Sequence, residues 1–122
     1  MRVIECIEKR RSTRAYSSRV VEKEKLEQIV RCGVLAPTGR NTQALRFVVL
    51  QDDQEKALFL QYCMHVLKLD RSPYHGADAI IFVFADMEIA TTPLQDAAAA
   101  VENMLLAATE LELGSCWIHT AS

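Results

Sequence analysis

The chain has 122 residues, half of them hydrophobic, which is enough to bury one core, so we expect a single domain over residues 1–122. Fourteen basic and sixteen acidic residues give a formal net charge of −2, which argues against binding of nucleic acid or of an anionic membrane. The first residues lack the apolar run of a signal peptide, and Glu5 and Glu8 argue against a transit peptide, so we expect a cytoplasmic protein.

The cysteines are widely spaced, without a C-x-x-C pair, and no two histidines stand at ligand spacing. This pattern predicts neither a zinc site nor a disulfide framework. We expect four reduced and mostly buried thiols, at Cys6, Cys32, Cys63 and Cys116.

A short first helix leads into the most basic part of the chain. Val3, Ile4 and Ile7 fall on one helical face, and the charges that follow predict that the helix ends near Arg11. The sequence K-R-R-S-T-R at residues 9–14, here called the basic segment, then gathers three arginines around a hydroxyl group. Guanidinium groups bind phosphate oxygens bidentately, so this segment predicts a phosphate site, although such clusters are often only solvated surface.

A second helix is predicted to begin at a cap formed by Ser17 or Ser18 and to end before Pro37. Its buried stripe is Leu26, Ile29, Val30 and Val34.

This helix leads directly into A-P-T-G-R-N-T-Q at residues 36–43, here called the polar loop. The amides of Asn41 and Gln43 can both donate and accept hydrogen bonds, as the edge of a flat polar heterocycle requires. Such residues can also merely hold a loop together. Beside the basic segment, however, the polar loop indicates a site for flavin mononucleotide (FMN).

The rest of the chain predicts two buried strands and two helices. Runs rich in Val, Ile and Phe predict strands at 46–50 and 80–85, with a helix at 54–69 between them. Thr92-Pro93 predicts the start of a long central helix that runs to Leu113 and stops at Gly114. Polar residues such as Asp96 exclude a membrane-spanning helix. A last strand is predicted at 115–118.

The order of these motifs resembles one family, the FMN-dependent nitroreductases. I-E-K-R-R-S-T-R-A-Y is similar to the family pattern R-R-S-x-R-x-F/Y, and A-P-T-G-R-N-T-Q to A-P-S-x-x-N-x-Q. D-A-A-A-A-V-E-N-M-L-L-A-A-T-E-L-E-L-G-S-C-W-I-H resembles the family's long helix and the strand after it. The resemblance implies an α+β sandwich, in which helices flank a mostly antiparallel sheet around a long central helix. It also implies an interlocked homodimer with a flavin in each groove between the subunits.

The resemblance also implies roles for individual residues. Arg10, Ser12 and Arg14 would hold the phosphate and ribityl chain of FMN, with Arg11 as a candidate fourth member. Near the end, Ile118, His119 and Thr120 would pass beside the reactive edge of the ring, mainly through their backbone. The polar-loop residues that would lie against the isoalloxazine, often from the opposite subunit, are Pro37, Thr38, Arg40, Asn41 and Gln43.

The implied activity is hydride transfer from NADH or NADPH through the flavin to a small electron-poor acceptor, such as a nitroaromatic or quinone, in a ping-pong cycle. The flavin carries this chemistry, so no dedicated catalytic side chain is expected. Arg40 would stabilise negative charge on the reduced ring. The alternatives are a flavin-binding or dimerising protein without turnover and, less compatible with the net charge, a small nucleic-acid binder.

Three features depart from the family pattern. Ala44-Leu45 stands where Pro-Trp or a similar pair is common, and Glu112 replaces a frequent glycine. Family members usually continue for several tens of residues, with a further strand, a C-terminal extension over the other subunit and a basic residue that completes the phosphate site. We therefore expect either a fragment or truncated chain, or that these parts are supplied in another way. A sheet without that strand would expose an unpaired edge.

Overall fold

A computed structural model describes residues 2–119. The helices and strands, in chain order, are α1 (Val3–Lys9), α2 (Lys23–Val34), a 3-10 turn (Gly39–Asn41), β1 (Leu45–Leu50), α3 (Asp53–His65), β2 (Ile80–Ala85) and α4 (Pro93–Glu110). The predicted α+β class is confirmed, since an antiparallel pair of strands packs among four helices.

Helix α4 is the central element, as predicted. Helices α1 and α2 and both strands pack against it. Its buried side chains belong to Asp96, Ala100, Met104, Leu105 and Ala108. Four consecutive alanines at 97–100, and Ala107 and Ala108 further on, let neighbouring elements approach its backbone closely.

Both ends of α4 differ in detail from the prediction. Thr92 is the N-cap and Pro93 the first helical residue, as expected, but the Thr92 hydroxyl makes no capping bond to the backbone and instead donates to Asp96 Oδ1 at 2.9 Å. The helix ends at Glu110, three residues before Leu113. Its end is a Schellman motif, in which Leu113 N–H donates to the Ala108 carbonyl at 2.8 Å.

Helix α2 begins later than predicted, and the prediction of a serine cap is wrong. Its N-cap is Glu22, whose side chain makes no capping bond, while Ser17 Oγ only accepts a bond from Arg19 N–H. The residues before α2 are held by distant partners: Val21 N–H donates to Asp78 Oδ2 at 2.9 Å. These long-range bonds keep the segment extended, and the helix starts only after them.

The two strands pair in antiparallel register from Leu45 opposite Ala85 to Leu50 opposite Ile80. One face of the pair covers the core where α2 meets α4. The core cluster is formed by Ile29, Met104 and Ala108, with Phe47, Ile81 and Val83 packed against it. Of the stripe predicted for α2, Leu26 and Ile29 are buried, Val30 is half-buried and Val34 is exposed.

Residues 115–118 do not form the predicted strand. Their only pairing with the described residues is an isolated parallel bridge between Ser12 and Ser115. The segment has the composition of a strand, but residues 2–119 contain no strand that pairs with it.

Helix α3 begins one residue earlier than predicted, at Asp53, and ends four residues earlier, at His65, after which Lys68 adopts a left-handed backbone (φ 59°). Asp52 caps its start by accepting a bond from Glu55 N–H at 3.0 Å. The Phe59 ring meets the edge of Phe82, with centroids 5.0 Å apart, and Cys63 is fully buried. These two side chains attach α3 to the rest of the molecule together with Lys56, whose Nζ donates to the carbonyls of Ala77 and Asp78 at 3.4 and 2.9 Å.

Many large apolar side chains are exposed to solvent. The predicted apolar face of α1 points outwards, with Val3, Ile4 and Ile7 between 57% and 70% exposed, and Cys6 is the buried residue of this helix. Trp117 is half exposed. Among the described residues, no helix has both the length and the apolar character needed to cross a membrane.

Candidate cofactor-binding site

The basic segment leaves α1 and runs beside the residues that follow α4. Arg10 N–H donates to the Cys6 carbonyl and closes α1, and Thr13 N–H donates to the Ser115 carbonyl at 2.9 Å. A Cβ on Gly114 would approach the Thr13 side chain to within 2.8–3.1 Å, so this close contact requires glycine. The fold therefore brings the basic segment next to the segment that contains His119.

The three guanidinium groups of the basic segment have different surroundings. Arg10 Nε lies 3.9 Å from Glu102 Oε1, and both side chains are partly exposed. Arg11 Nη1 donates to the carbonyls of Glu8 and Arg10, at 3.0 and 2.9 Å. Arg14 is exposed, and among residues 2–119 no carboxylate lies within ion-pair distance of it. Two of the three positive charges are thus unopposed by a described carboxylate, and the third has only a loose partner.

A tyrosine lies at the end of this segment. Tyr16 Oη donates to the Thr13 carbonyl at 2.7 Å. Burial raises the pKa of Tyr16, the Cys116 thiol raises it further, and Arg14 partly offsets both effects. Tyr16 therefore stays neutral at physiological pH and adds no negative charge to the basic segment.

The polar loop has an unusual backbone. Arg40, Asn41 and Gln43 all have positive φ, at 55°, 54° and 49°. Side chains disfavour this region, and each such residue costs about 1 kcal/mol or more, so neighbouring contacts must hold the loop. Within the loop, Gln43 N–H donates to Thr38 Oγ1 and Gln43 Nε2 donates to Asn41 Oδ1, both at 3.1 Å.

The polar loop is anchored to the first turn of α4. Gly39 N–H donates to Asp96 Oδ1 at 3.0 Å, and the Thr91 hydroxyl donates to the Gly39 carbonyl at 3.4 Å. Asp96 is 4% exposed. No motif in the sequence predicted this role of Asp96. The available signal was its place in the first helical turn, where the helix dipole favours a carboxylate.

The two predicted segments meet α4 at different levels. The polar loop contacts Asp96, whereas Arg10 faces Glu102, six residues or about 9 Å further along the helix axis. Within residues 2–119 no hydrogen bond or ion pair joins the basic segment to the polar loop. One chain thus presents two separate half-sites. Thr120 lies outside the described residues, and His119 is exposed.

The chemistry of both half-sites fits a phosphorylated heterocycle. Unopposed guanidiniums suit a phosphate, and the exposed side chains of Arg40, Asn41 and Gln43 offer donors and acceptors to a ring edge. Each half-site also holds a buried hydroxyl oxygen without a hydrogen-bond partner, Ser115 Oγ beside the basic segment and Thr42 Oγ1 in the polar loop.

Other features lie outside the half-sites. A groove of about 620 Å³ between α2 and β1 contains no predicted site residue; its apolar lining is Leu26, Val30, Val34 and Val49. No group of three or more metal-ligating side chains occurs in residues 2–119. Of the four free thiols, Cys6 and Cys63 are buried, but Cys32 and Cys116 are partly exposed, so burial was overestimated.

Comparison with known proteins places the chain in a family. Residues 7–70 and 66–121 match the model of the nitroreductase family. The chain belongs to this family. A similar protein from Archaeoglobus fulgidus, which bears the provisional name NADH dehydrogenase/NAD(P)H nitroreductase, is 35% identical over 113 residues. That alignment covers 89% of this chain and 62% of the relative.

Solved nitroreductases have the same fold. A Bacteroides fragilis nitroreductase with bound FMN superimposes with a TM-score of 0.90 at 27% identity, over 97% of this chain and 70% of that one. An FMN-dependent nitroreductase from Clostridium difficile has a TM-score of 0.79 at 36% identity, over 94% and 65% of the two chains. The chain thus spans about three fifths of the curated relatives that it matches, 62% and 60% of the first two.

Proposed function

We propose that the chain binds FMN and acts as an NAD(P)H-dependent oxidoreductase of the nitroreductase type. The observation that carries this proposal is the pair of half-sites: a basic segment with two unopposed guanidiniums, and a polar loop held in a strained conformation, in a family whose solved members include FMN complexes. Neither half-site is needed to complete the core of the fold, because their functional side chains point outwards.

In this proposal the basic segment holds the phosphate end of the cofactor. Arg10 and Arg14 would bind phosphate oxygens, and Ser12 would add a neutral hydroxyl toward the ribityl chain. The Arg11 guanidinium bonds the last carbonyls of α1, so we expect it to contribute less than the other two arginines.

The polar loop would hold the ring. Asn41 and Gln43 present amide groups to the pyrimidine edge, with Pro37 and Thr38 beside it, and the backbone at His119 would run near the reactive edge. When bound, FMN supplies hydride transfer between NADH or NADPH and an electron-poor acceptor such as a nitroaromatic or quinone, by a ping-pong mechanism. Arg40 places a positive charge where negative charge develops on the reduced ring.

We also propose that a homodimer assembles the complete site. The chain exposes 8419 Å², whereas a compact monomer of its mass, 13.7 kDa, exposes about 6,600 Å². The excess of about 1,800 Å² lies within the roughly 1,000–2,500 Å² per chain that an obligate homodimer buries. The separation of the half-sites along α4 supports an arrangement in which the basic segment of one chain and the polar loop of its partner face one flavin.

The first test is the visible spectrum of the purified chain with FMN, before and after NADH or NADPH. A flavin band that bleaches with the reductant and returns with a nitroaromatic or quinone supports the proposal. Bound FMN that neither nucleotide reduces supports instead the alternative of a flavin-binding protein without turnover. A chain that binds no FMN refutes both. A single domain and a cytoplasmic location stay predictions from the sequence.

A further inference from the structure

Asp96 contacts the polar loop at one point, through a single carboxylate oxygen. Asp96 Oδ1 accepts from Gly39 N–H at 3.0 Å and from the Thr92 hydroxyl at 2.9 Å. The side chain is 4% exposed, and its other oxygen, Oδ2, is buried without a hydrogen-bond partner. A carboxylate in the first turn of α4 is favoured by the helix dipole, which offsets part of the cost of burying it.

Gly39 fits this contact closely. A Cβ at Gly39 would overlap the Thr92 hydroxyl and would lie 3.3 Å from Thr91 Oγ1. The loop backbone therefore rests directly on the start of α4. Gly39, Thr92 and Asp96 are here called the loop latch.

The latch lies immediately before the strained part of the loop. Arg40 and Asn41, the next two residues, have left-handed backbones, and so does Gln43. Such conformations persist only where surrounding contacts impose them. The loop's own bonds, between Gln43 and the side chains of Thr38 and Asn41, do not attach it to the rest of the fold. The latch attaches it, together with two longer bonds, from the Thr91 hydroxyl to the Gly39 carbonyl at 3.4 Å and from Arg46 Nη1 to the Gln43 carbonyl at 3.3 Å.

We propose that Asp96 is a positioning residue: through Gly39 it holds the polar loop in the strained conformation that presents Asn41 and Gln43 to the cofactor. Asp96 itself is 4% exposed, so it acts through Gly39 and not directly on the cofactor. The inference rests on the proposed function for the cofactor side, but the holding of the loop can be measured on the chain without FMN.

Hydrogen exchange of the Gly39 amide in the FMN-free chain is the first measurement. Asp96→Ala removes the acceptor of this amide, and we expect its exchange to become about ten-fold faster, while the amides of α2 stay protected. Asp96→Asn keeps a side-chain carbonyl oxygen in place and should restore most of the protection.

The matched control is Asn103→Ala on the same helix. Asn103 Nδ2 donates to the Cys32 carbonyl at 3.0 Å, so this variant also removes one bond from α4 to another element, at α2 and not at the polar loop itself. It should leave Gly39 exchange unchanged. Equal acceleration of all amides in Asp96→Ala and Asn103→Ala, or unchanged Gly39 exchange in Asp96→Ala, would overturn the proposal.

FMN binding tests the cofactor side. Asp96→Ala and Gly39→Ala should each weaken FMN about ten-fold and alter the visible circular dichroism of the bound flavin, whereas Asn103→Ala should alter neither. If the unchanged chain binds no FMN, the proposed function fails, and the exchange data alone decide whether the latch holds the loop. If the unchanged chain binds FMN and the latch variants show the same affinity and dichroism, positioning by Asp96 is refuted while the proposed function stands.

Discussion

Replacement of Arg10 by alanine tests the phosphate half-site most directly. Arg10 Nε is 3.9 Å from Glu102 Oε1, and the two side chains are 32% and 55% exposed. This distance is at the limit of an ion pair, and an exposed pair of this kind contributes about 0.2–1 kcal/mol. Arg10 can therefore turn from Glu102 to a phosphate at little cost.

The size of the effect follows from these two interactions. A hydrogen bond to a charged group contributes about 1.5–3 kcal/mol, from which the lost interaction with Glu102 must be subtracted. The expected loss for Arg10→Ala is about 0.5–2.8 kcal/mol, or a roughly two- to 110-fold higher Kd for FMN. The free energy of unfolding should fall by less than about 1 kcal/mol, because the pair is exposed.

Two variants serve as controls. Glu102→Gln removes the competing carboxylate and should tighten FMN binding up to about five-fold. Arg11→Ala removes a side chain that bonds α1 carbonyls and should weaken FMN less than Arg10→Ala does. The assay is fluorescence titration of FMN at fixed, low salt, with thermal unfolding of each variant. An unchanged Kd in Arg10→Ala, with Glu102→Gln also unchanged, would show that the phosphate is not bound here.

Three further predictions concern the fold. Glu112→Gly should raise the free energy of unfolding by about 0.5–1 kcal/mol in denaturant titration, because Glu112 has φ 62° at the glycine position of the Schellman motif; a loss of stability would contradict this. Gly33→Ala adds a Cβ 2.9 Å from Met104 Cγ and Sδ and 3.0 Å from Phe47 Cε1, so it should cost up to about 2 kcal/mol alone and clearly less in a Met104→Ala background, where only the Phe47 contact remains; additive effects would argue against the contact with Met104. The pKa of Tyr16 is raised in the folded state, so its hydroxyl loses the proton at a higher pH there than in the unfolded state. The difference in free energy of unfolding between the unchanged chain and Tyr16→Phe should therefore be constant below about pH 10 and shrink as the pH rises above it. A difference that grows above about pH 10 would contradict this.

Local signals in the sequence predicted much of the architecture. Thr92-Pro93 marked the start of α4, and the Val/Ile/Phe runs marked β1 and β2 to within one residue. These elements are specified by neighbouring residues, since a proline at the first helical position and a buried β-branched run carry their meaning locally.

Contacts between distant residues explain what the sequence did not predict. The bond from Val21 to Asp78 keeps the chain extended where a serine cap was expected, and Asp96 meets Gly39 from 57 residues away. Residues 115–118 have strand-like composition, but a strand also needs a partner, and the described chain supplies only Ser12. The two candidate site motifs could be proposed from the sequence because each is contiguous. The contact between Gly39 and Asp96 could not, because these residues are far apart in the chain.

Helix α3 should unfold locally at a lower free energy than the rest of the molecule, because it is more weakly attached. Helices α1 and α2 and both strands pack against α4. Helix α3 is fixed instead by Phe59, Cys63 and the hydrogen bonds of Lys56, and it leaves Leu58 and about half of Tyr62 in solvent. Segments with little buried apolar contact open below the free energy of global unfolding. A protease should therefore cut first around α3, and the cut chain should keep both half-sites. A reporter tag inserted within residues 53–65 should for the same reason leave the half-sites undisturbed.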